Sequence, residues 1–161
     1  MALFEEVQSP EYERARKRAM YLLGSRPYST AALREKLLNN YSEETADRVI
    51  EDMTRYGFLD DGDYARRLAS SMLKGKKYGL RRAKAEMRRK GVPDELIEQA
   101  LSEYSSEDLT ESLTGLVRKK YADRITERDE RQKVIAALAR RGYGFTEIKS
   151  AITAVLEEIE G

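Results

Sequence analysis

The amino-acid sequence predicts an all-α protein, in which tandem repeats of three-helix bundles form an elongated, curved body. Three observations indicate this class. Apolar side chains recur at helical spacing, and no stretch alternates cleanly between apolar and polar residues as a half-buried strand would. Glycine and proline stand mostly where these helical stretches begin or end. A pattern of apolar positions also repeats along the chain, at the interval that separates Gly91 from Gly142.

Nine helices are predicted, in three groups of three. They lie at about 13–24, 30–40 and 43–56, at 61–74, 80–90 and 93–104, and at 107–121, 127–141 and 145–159. The groups define three repeats, 13–57, 58–104 (the basic repeat) and 105–160, which follow an N-terminal extension, 1–12.

The clearest helix signals in the first group belong to its last helix. Ser42 is a typical N-cap, because two acids follow it where the helix dipole favours negative charge. The apolar stripe of this helix consists of Ala46, Val49, Ile50 and Met53. Gly57 then stands where the helix should stop.

In the second group, Asp60 and Asp61 begin a helix with an apolar stripe of Tyr64, Ala65, Leu68, Ala69 and Met72. Gly91 ends the middle helix, and Pro93 with Asp94 begins the next one. The third group has the cleanest stripe of all. Its members are Ile148, Ala151, Ile152, Val155, Leu156 and Ile159.

The second and third groups align as copies of one pattern. The run KAEMRRKGVPDELIEQAL matches IAALARRGYGFTEIKSAI, with apolar residues and glycine at equivalent positions. The first copy, LREKLLNNYSEETADRVI, fits the pattern but lacks the glycine, so its helix connection is one residue shorter. Units of this size bury few apolar side chains alone and must pack on their neighbours. The alternative is one compact all-α domain whose helices resemble each other by chance.

Composition excludes several classes of site. Cysteine and histidine are both absent, which rules out disulfides, thiolate and imidazole metal ligands, and triads that rely on histidine. There is no phosphate-binding GxxxxGK[ST] and no GxGxxG. The pair Asp60-Asp61 has the chemistry of half a cation site, but helix capping explains it. We therefore expect no enzyme activity, no cofactor and no metal.

Charge is segregated along the chain, although the net charge is only +1. The segment 66–91 holds eleven basic residues and one acid, whereas 92–111 holds seven acids and no base. Such a basic segment binds phosphates or an acidic protein surface, or is a solvated helix face. The loop at 74–79 is expected to be flexible, with an aromatic that stacks on a base or fills a pocket. The predicted contact residues are Lys74, Lys76, Lys77, Tyr78, Arg81, Arg82, Arg88 and Arg89.

The middle of the chain carries two characteristic runs, YGFLDDGDYARRL and KGKKYGLRRAKAEMRRKGVPDELIEQAL. They contain a Gly-aromatic-Leu-Asp-Asp turn, then Tyr64-Ala65, a Lys-Gly segment and an amphipathic helix that ends in Lys90-Gly91-Val92. Upstream, AMYLLGSRPYSTAALREKL adds a helix and an Arg-x-Tyr-Ser turn. Together these motifs resemble the RecX family of recombinase regulators over residues 14–104. The resemblance thins over the third repeat, although ARRGYGFTEIKSAI suits the closing helix pair.

This resemblance implies a function. RecX-like proteins are non-enzymatic regulators in DNA repair, homologous recombination and the SOS response. They bind the RecA recombinase filament on single-stranded DNA and limit its growth, ATP hydrolysis, strand exchange and co-protease activity. Two other hypotheses stay open. One is a helical module that binds single- or double-stranded DNA directly, and the other is a helical adaptor between proteins.

The remaining expectations concern location and assembly. The longest apolar runs are far shorter than a membrane span, and the N-terminal residues do not resemble a signal peptide. We expect a monomer in the bacterial cytoplasm, without membrane association.

Overall fold

The computed structural model describes residues 9–161, which contain nine α-helices and no β-strand. The helices are α1 (Pro10–Ser25), α2 (Thr30–Leu38), α3 (Glu43–Arg55), α4 (Asp61–Ser70), α5 (Leu80–Arg89), α6 (Asp94–Leu101), α7 (Ser106–Leu116), α8 (Arg128–Arg140) and α9 (Phe145–Glu160). The all-α class predicted from the sequence is confirmed. Two features were not predicted: α4 and α7 each continue into one π-helical turn, Ser71–Gly75 and Val117–Tyr121.

When the π-helical turns are counted with α4 and α7, the largest differences from the predicted helix bounds are three residues. Helix α1 begins at Pro10 because the Ser9 side chain caps it, accepting a hydrogen bond from the Tyr12 amide at 3.1 Å, and proline suits the first helical position. Helix α6 ends at Leu101 rather than at 104. Of the predicted N-terminal extension, residues 1–8 lie outside the described part of the chain. The predicted repeat boundaries remain a prediction.

Each group of three helices encloses its own hydrophobic core. The first core consists of buried side chains between Tyr12 and Leu59, the second between Ala65 and Leu101, and the third between Leu113 and Val155. The repeated apolar positions are buried in both aligned copies: Met87 and Leu138, Ile97 and Ile148, Ala100 and Ala151, and Leu101 and Ile152. Three separate cores are the arrangement of tandem bundles rather than of one compact domain.

The residues predicted to begin and end helices do so. Asp60 accepts a hydrogen bond from the Asp63 amide at 3.0 Å, and Ser42 accepts one from the Thr45 amide at 3.2 Å. Gly57, Gly91 and Gly142 all have positive φ, between 83° and 101°. A side chain is strained in this conformation, so glycine favours termination at these three positions.

Consecutive repeats join through equivalent contacts at both junctions. In each, a donor at the start of one middle helix bonds to a carbonyl at the end of the next middle helix. At the first junction, the Ser29 hydroxyl at the start of α2 donates to the Lys90 carbonyl at the end of α5, at 2.6 Å. At the second junction, the Gly79 amide at the start of α5 donates to the Arg141 carbonyl at the end of α8, at 2.8 Å. The amide of Arg81 adds a bond of 3.3 Å to the Gly142 carbonyl. In both cases, the free polar groups of a helix N-terminus meet the free carbonyls of a helix C-terminus.

The middle helices of the three repeats therefore form a head-to-tail row, α2–α5–α8. The two backbones approach closely at each junction. The glycine that follows the middle helix of one repeat lies against the first residues of the middle helix in the preceding repeat. A Cβ atom added at Gly142 would lie 2.5 Å from the Arg82 amide nitrogen, and one at Gly79 would lie 2.4 Å from the Gly142 carbonyl oxygen. The first repeat lacks the glycine, and its middle helix α2 contributes its N-terminus rather than its C-terminus to the first junction.

Replacing Ser29 with alanine should lower the free energy of unfolding by about 2 kcal/mol. Ser29 is fully buried and caps α2 by accepting from the Ala32 amide at 3.1 Å, in addition to its bond across the junction. The variant loses both bonds and leaves the Lys90 carbonyl without this donor. Urea denaturation followed by far-ultraviolet circular dichroism measures the change. Ser42→Ala is the control, because Ser42 caps α3 at an exposed site, and it should cost only about 1 kcal/mol. Equal losses would mean that Ser29 acts as a cap alone.

A basic face on the second repeat

The eight predicted contact residues all lie on the second repeat, but the structure divides them among three places. Arg81, Arg88 and Arg89 are exposed on the outer face of α5. Lys76 and Tyr78 lie at the second junction, and Arg82, which is half-buried on the same face of α5, reaches the Tyr78 ring there. Lys74 and Lys77 border a depression between the second and third repeats.

The outer face of α5 is a cluster of four arginines around one alanine. Residues three and four apart are neighbours on a helix surface, and Ala85 has arginine at all four of these positions. They are Arg81, Arg82, Arg88 and Arg89. Ala83 and Met87 point the opposite way and are fully buried in the core of the second repeat. Burial of this apolar side therefore turns the arginines outward. We call this surface, with Ala85 at its centre, the arginine face.

Two of these arginines have acidic partners close by. Arg88 donates to Asp94 at 2.8 Å, and Arg89 donates to Glu86. The hydrogen bond from Arg89 lowers the pKa of the Glu86 carboxyl, and the bond to Asp94 raises the pKa of Arg88. Both pairs are exposed, and exposed pairs contribute little to stability. An anionic partner can therefore replace Asp94 or Glu86 beside these arginines at little cost in stability. Within residues 9–161, Arg81 has no carboxylate at ion-pair distance.

Tyr78 lies among cations of the protein itself. The Arg82 guanidinium lies 4.1 Å from the ring centroid, the Lys76 ammonium 5.7 Å away, and the Arg141 guanidinium 5.9 Å away. The ring is half-buried and packs against the core of the second repeat. Tyr78 and Arg82 therefore belong to the second junction, because cation–π attraction holds the ring among these cations. Their role in contacting a partner remains a prediction.

The loop before α5, expected to be flexible, is hydrogen-bonded on both sides. Within its own repeat, the amides of Lys76 and Tyr78 donate to the Ser71 and Met72 carbonyls, both at 2.9 Å. From the third repeat, the Tyr143 hydroxyl donates to the Lys77 carbonyl at 2.7 Å. Lys77 has a φ of 58°, an uncommon conformation for a residue with a side chain, and these bonds stabilise it.

Sequence reasoning missed Arg141 as a member of this site. Its guanidinium donates to the Lys76 and Lys77 carbonyls and lies near Tyr78. The internal repeat carries a signal for it, because Arg141 is the residue before Gly142 as Lys90 is the residue before Gly91. The residue in this position forms the junction in both copies.

The depression beside Lys74 and Lys77 is lined by both signs of charge. Glu103, Asp108 and Glu111 line it together with the two lysines, over an apolar floor that includes Leu73 and Leu109. Acids of the third repeat thus lie near these lysines. Positive charge therefore predominates more clearly on the arginine face than in this depression.

Residues 9–161 offer neither a metal centre nor a membrane span. They contain no group of three or more aspartate or glutamate residues placed to hold a metal ion. Nor does this part of the chain contain a helix long and apolar enough to span a membrane.

Comparison with protein families identifies each of the three bundles separately. Residues 15–53 match the model of the first three-helix domain of RecX, residues 60–101 match the second, and residues 106–152 match the third. Together these matches cover most of the chain.

Curated relatives and solved structures agree with these matches. The chain is 33% identical over 151 residues to "Regulatory protein RecX" of Prosthecochloris aestuarii, covering 93% of this chain and 99% of that protein. It is 39% identical over 130 residues to the protein of the same name from Trichlorobacter lovleyi, covering 78% and 84%. The crystal structure of RecX from Lactobacillus salivarius has the same fold, with a TM-score of 0.80 at 20% identity over 90% of this chain and 96% of that one. With all three of its bundles matched in order, the chain belongs to the RecX family of regulatory proteins.

Proposed function

We propose that this protein is a non-enzymatic regulator that binds the RecA filament on single-stranded DNA. By binding, it inhibits filament growth, ATP hydrolysis, strand exchange and co-protease activity. The observation that carries the proposal is the arginine face, an exposed cationic surface at the middle of a row of bundles. Membership in a family of regulatory proteins supports the same conclusion.

The chemistry of the arginine face suits an anionic surface of a large assembly. A guanidinium binds a carboxylate or a phosphate through two parallel hydrogen bonds. Among the described residues, Arg81 has no acid at ion-pair distance that would have to be displaced. A row of three bundles is also long enough to contact more than one subunit of a filament. Contact with successive subunits would hold their relative positions, and ATP hydrolysis by the filament would slow because its subunits could not rearrange.

The basic face also suits nucleic acid, so the test must separate a filament target from a DNA target. RecA ATP hydrolysis on single-stranded DNA is measured at fixed salt while this protein is titrated in. In parallel, binding of the protein to the same DNA without RecA is followed by fluorescence anisotropy. We expect inhibition at protein concentrations at which bare DNA is still largely unbound.

Two other outcomes would contradict the proposal. Inhibition that appears only when bare DNA is saturated would mean competition for DNA. In that case, affinity for DNA should fall steeply with salt, because phosphate contacts release counterions. A folded protein with neither inhibition nor DNA binding would favour an adaptor for some other protein.

A further inference from the structure

A second basic surface lies in a groove at the first junction, between the first and second repeats. Three segments that are distant in sequence form it. Arg26 and Pro27 follow α1, Tyr64, Arg67 and Leu68 lie on α4, and Lys90 ends α5. We call it the junction groove. It adjoins a depression that shares four of its residues and is lined in addition by Phe58, whose side chain is 51% exposed, and by the carboxylates of Asp60 and Asp63.

The charges in the junction groove have one sign. Its lining includes three cations and no carboxylate. The Arg26 guanidinium lies 4.0 Å from the centroid of the buried Tyr28 ring, and within residues 9–161 it has no carboxylate at ion-pair distance. The Lys90 ammonium likewise has no carboxylate at ion-pair distance within residues 9–161. Arg67 forms an ion pair with Asp63 of its own helix, with 3.0 Å between Nε and the carboxylate.

The floor of the groove is apolar. Pro27, Tyr64 and Leu68 form it, and the latter two are half-buried against the core of the second repeat. The positive charges of Arg26, Arg67 and Lys90 repel one another, and the apolar floor strengthens this repulsion because its dielectric constant is low. A bound anion would reduce the repulsion. An apolar floor with a few charged groups at its edge is the usual anatomy of a specific binding site.

We propose that the junction groove binds an acidic peptide segment of a partner protein, with one apolar side chain of that segment on the groove floor. Acidic segments are recognised by clustered arginines and lysines, as in other peptide-binding modules. An apolar floor favours a peptide over a nucleic-acid backbone, because a phenylalanine side chain buries more apolar surface against Pro27 and Leu68 than a deoxyribose between two phosphates does. The proposal does not depend on the filament-binding function and concerns a different surface from the arginine face.

Fluorescence anisotropy with labelled synthetic peptides tests this site on the full chain. The main probe is a glutamate-rich peptide with one central phenylalanine. The comparison probes are the same peptide with serine in place of phenylalanine, and an oligothymidylate with the same number of charges. We expect saturable binding of the main probe and about tenfold weaker binding of the serine peptide, because the apolar side chain no longer leaves water.

Two variants locate the binding on the protein. Lys90→Glu and Arg26→Gln should each weaken binding of the main probe, whereas Lys17→Glu should not. Lys17 is exposed on α1, does not line the groove, and undergoes the same change of charge as Lys90. Circular dichroism confirms that each variant is folded.

The proposal is overturned by any of three results. These are no binding of the main probe, equal binding of the phenylalanine and serine peptides, or equal effects of Lys90→Glu and Lys17→Glu. Tighter binding of the oligothymidylate than of the main probe would also overturn it, in favour of a nucleic-acid site. The RecA ATPase assay reports on the arginine face instead, so failure of one proposal leaves the other distinguishable.

Discussion

Replacing Gly142 with alanine should lower the free energy of unfolding by about 3 kcal/mol and weaken the attachment of the third repeat to the second. Two costs combine. Gly142 has a φ of 101°, which strains any residue with a side chain. The new Cβ atom would also lie 2.5 Å from the Arg82 amide nitrogen and 2.6 Å from its Cβ atom. A backbone atom at the start of α5 cannot move aside without displacing the helix, so the repeats must separate slightly.

Urea denaturation followed by circular dichroism measures this loss, since the chain has no tryptophan for intrinsic fluorescence. Gly57→Ala is the matched control, because Gly57 has a φ of 83° but nothing lies within 4 Å of an added Cβ atom. It should carry the conformational cost alone, about 1 kcal/mol. In Gly142→Ala, weaker coupling between bundles should also broaden the transition or divide it in two. Equal losses in the two variants would show that the close approach at the second junction contributes nothing to stability.

Replacing Ala85 with glutamate should reduce inhibition of RecA ATP hydrolysis at least about tenfold and leave the protein as stable as before. A glutamate at this position has four arginines as neighbours on the helix surface. It would pair with these arginines and neutralise the centre of the arginine face. The expected loss of binding free energy is that of removing a close charge pair from an interface. Pairs of this spacing stabilise a helix by a few tenths of a kcal/mol, so stability should stay level or rise slightly. Loss of inhibition in an equally stable protein would separate binding from folding.

The ATPase titration described above measures this effect, alongside urea denaturation. Ala136→Glu is the control, because Ala136 is exposed on α8, outside the arginine face, and the substitution is the same. Reversing all four arginines, Arg81, Arg82, Arg88 and Arg89, to glutamate should reduce inhibition further without loss of helix content. A folded Ala85→Glu variant that inhibits as strongly as the original protein would exclude the arginine face as the contact surface.

Local signals were sufficient to predict the secondary structure and the repeat. The N-cap residues Ser42 and Asp60 act on amides three positions away, and a glycine such as Gly57 ends a helix through its own φ. The apolar stripes pack within a single bundle. Because each of these interactions joins residues close together in the chain, periodicity and spacing report them directly.

The sites depend on contacts that no local pattern contains. The sequence pattern places Asp61 at the start of a helix, but its carboxylate also accepts a hydrogen bond from the Thr30 amide of the first repeat at 2.8 Å. Tyr78 belongs to a basic run that suggests nucleic-acid stacking, but the ring lies among Lys76, Arg82 and Arg141. Which cations pair with the protein's own acids depends on where helices from different parts of the chain meet.

Composition, spacing and periodicity were enough to predict a helical protein, the positions of its helices, their threefold repetition and the concentration of positive charge in the second repeat. Each of these follows from short-range geometry, in which side chains three and four apart share a helix face and glycine or proline interrupts the backbone. The tertiary structure was needed to show how the repeats join and where the exposed cations cluster. It aligned α2, α5 and α8 head to tail and brought Arg26, Arg67 and Lys90 into one groove. The physical reason is that these contacts join residues tens of positions apart, and the packing of whole bundles determines which of them meet.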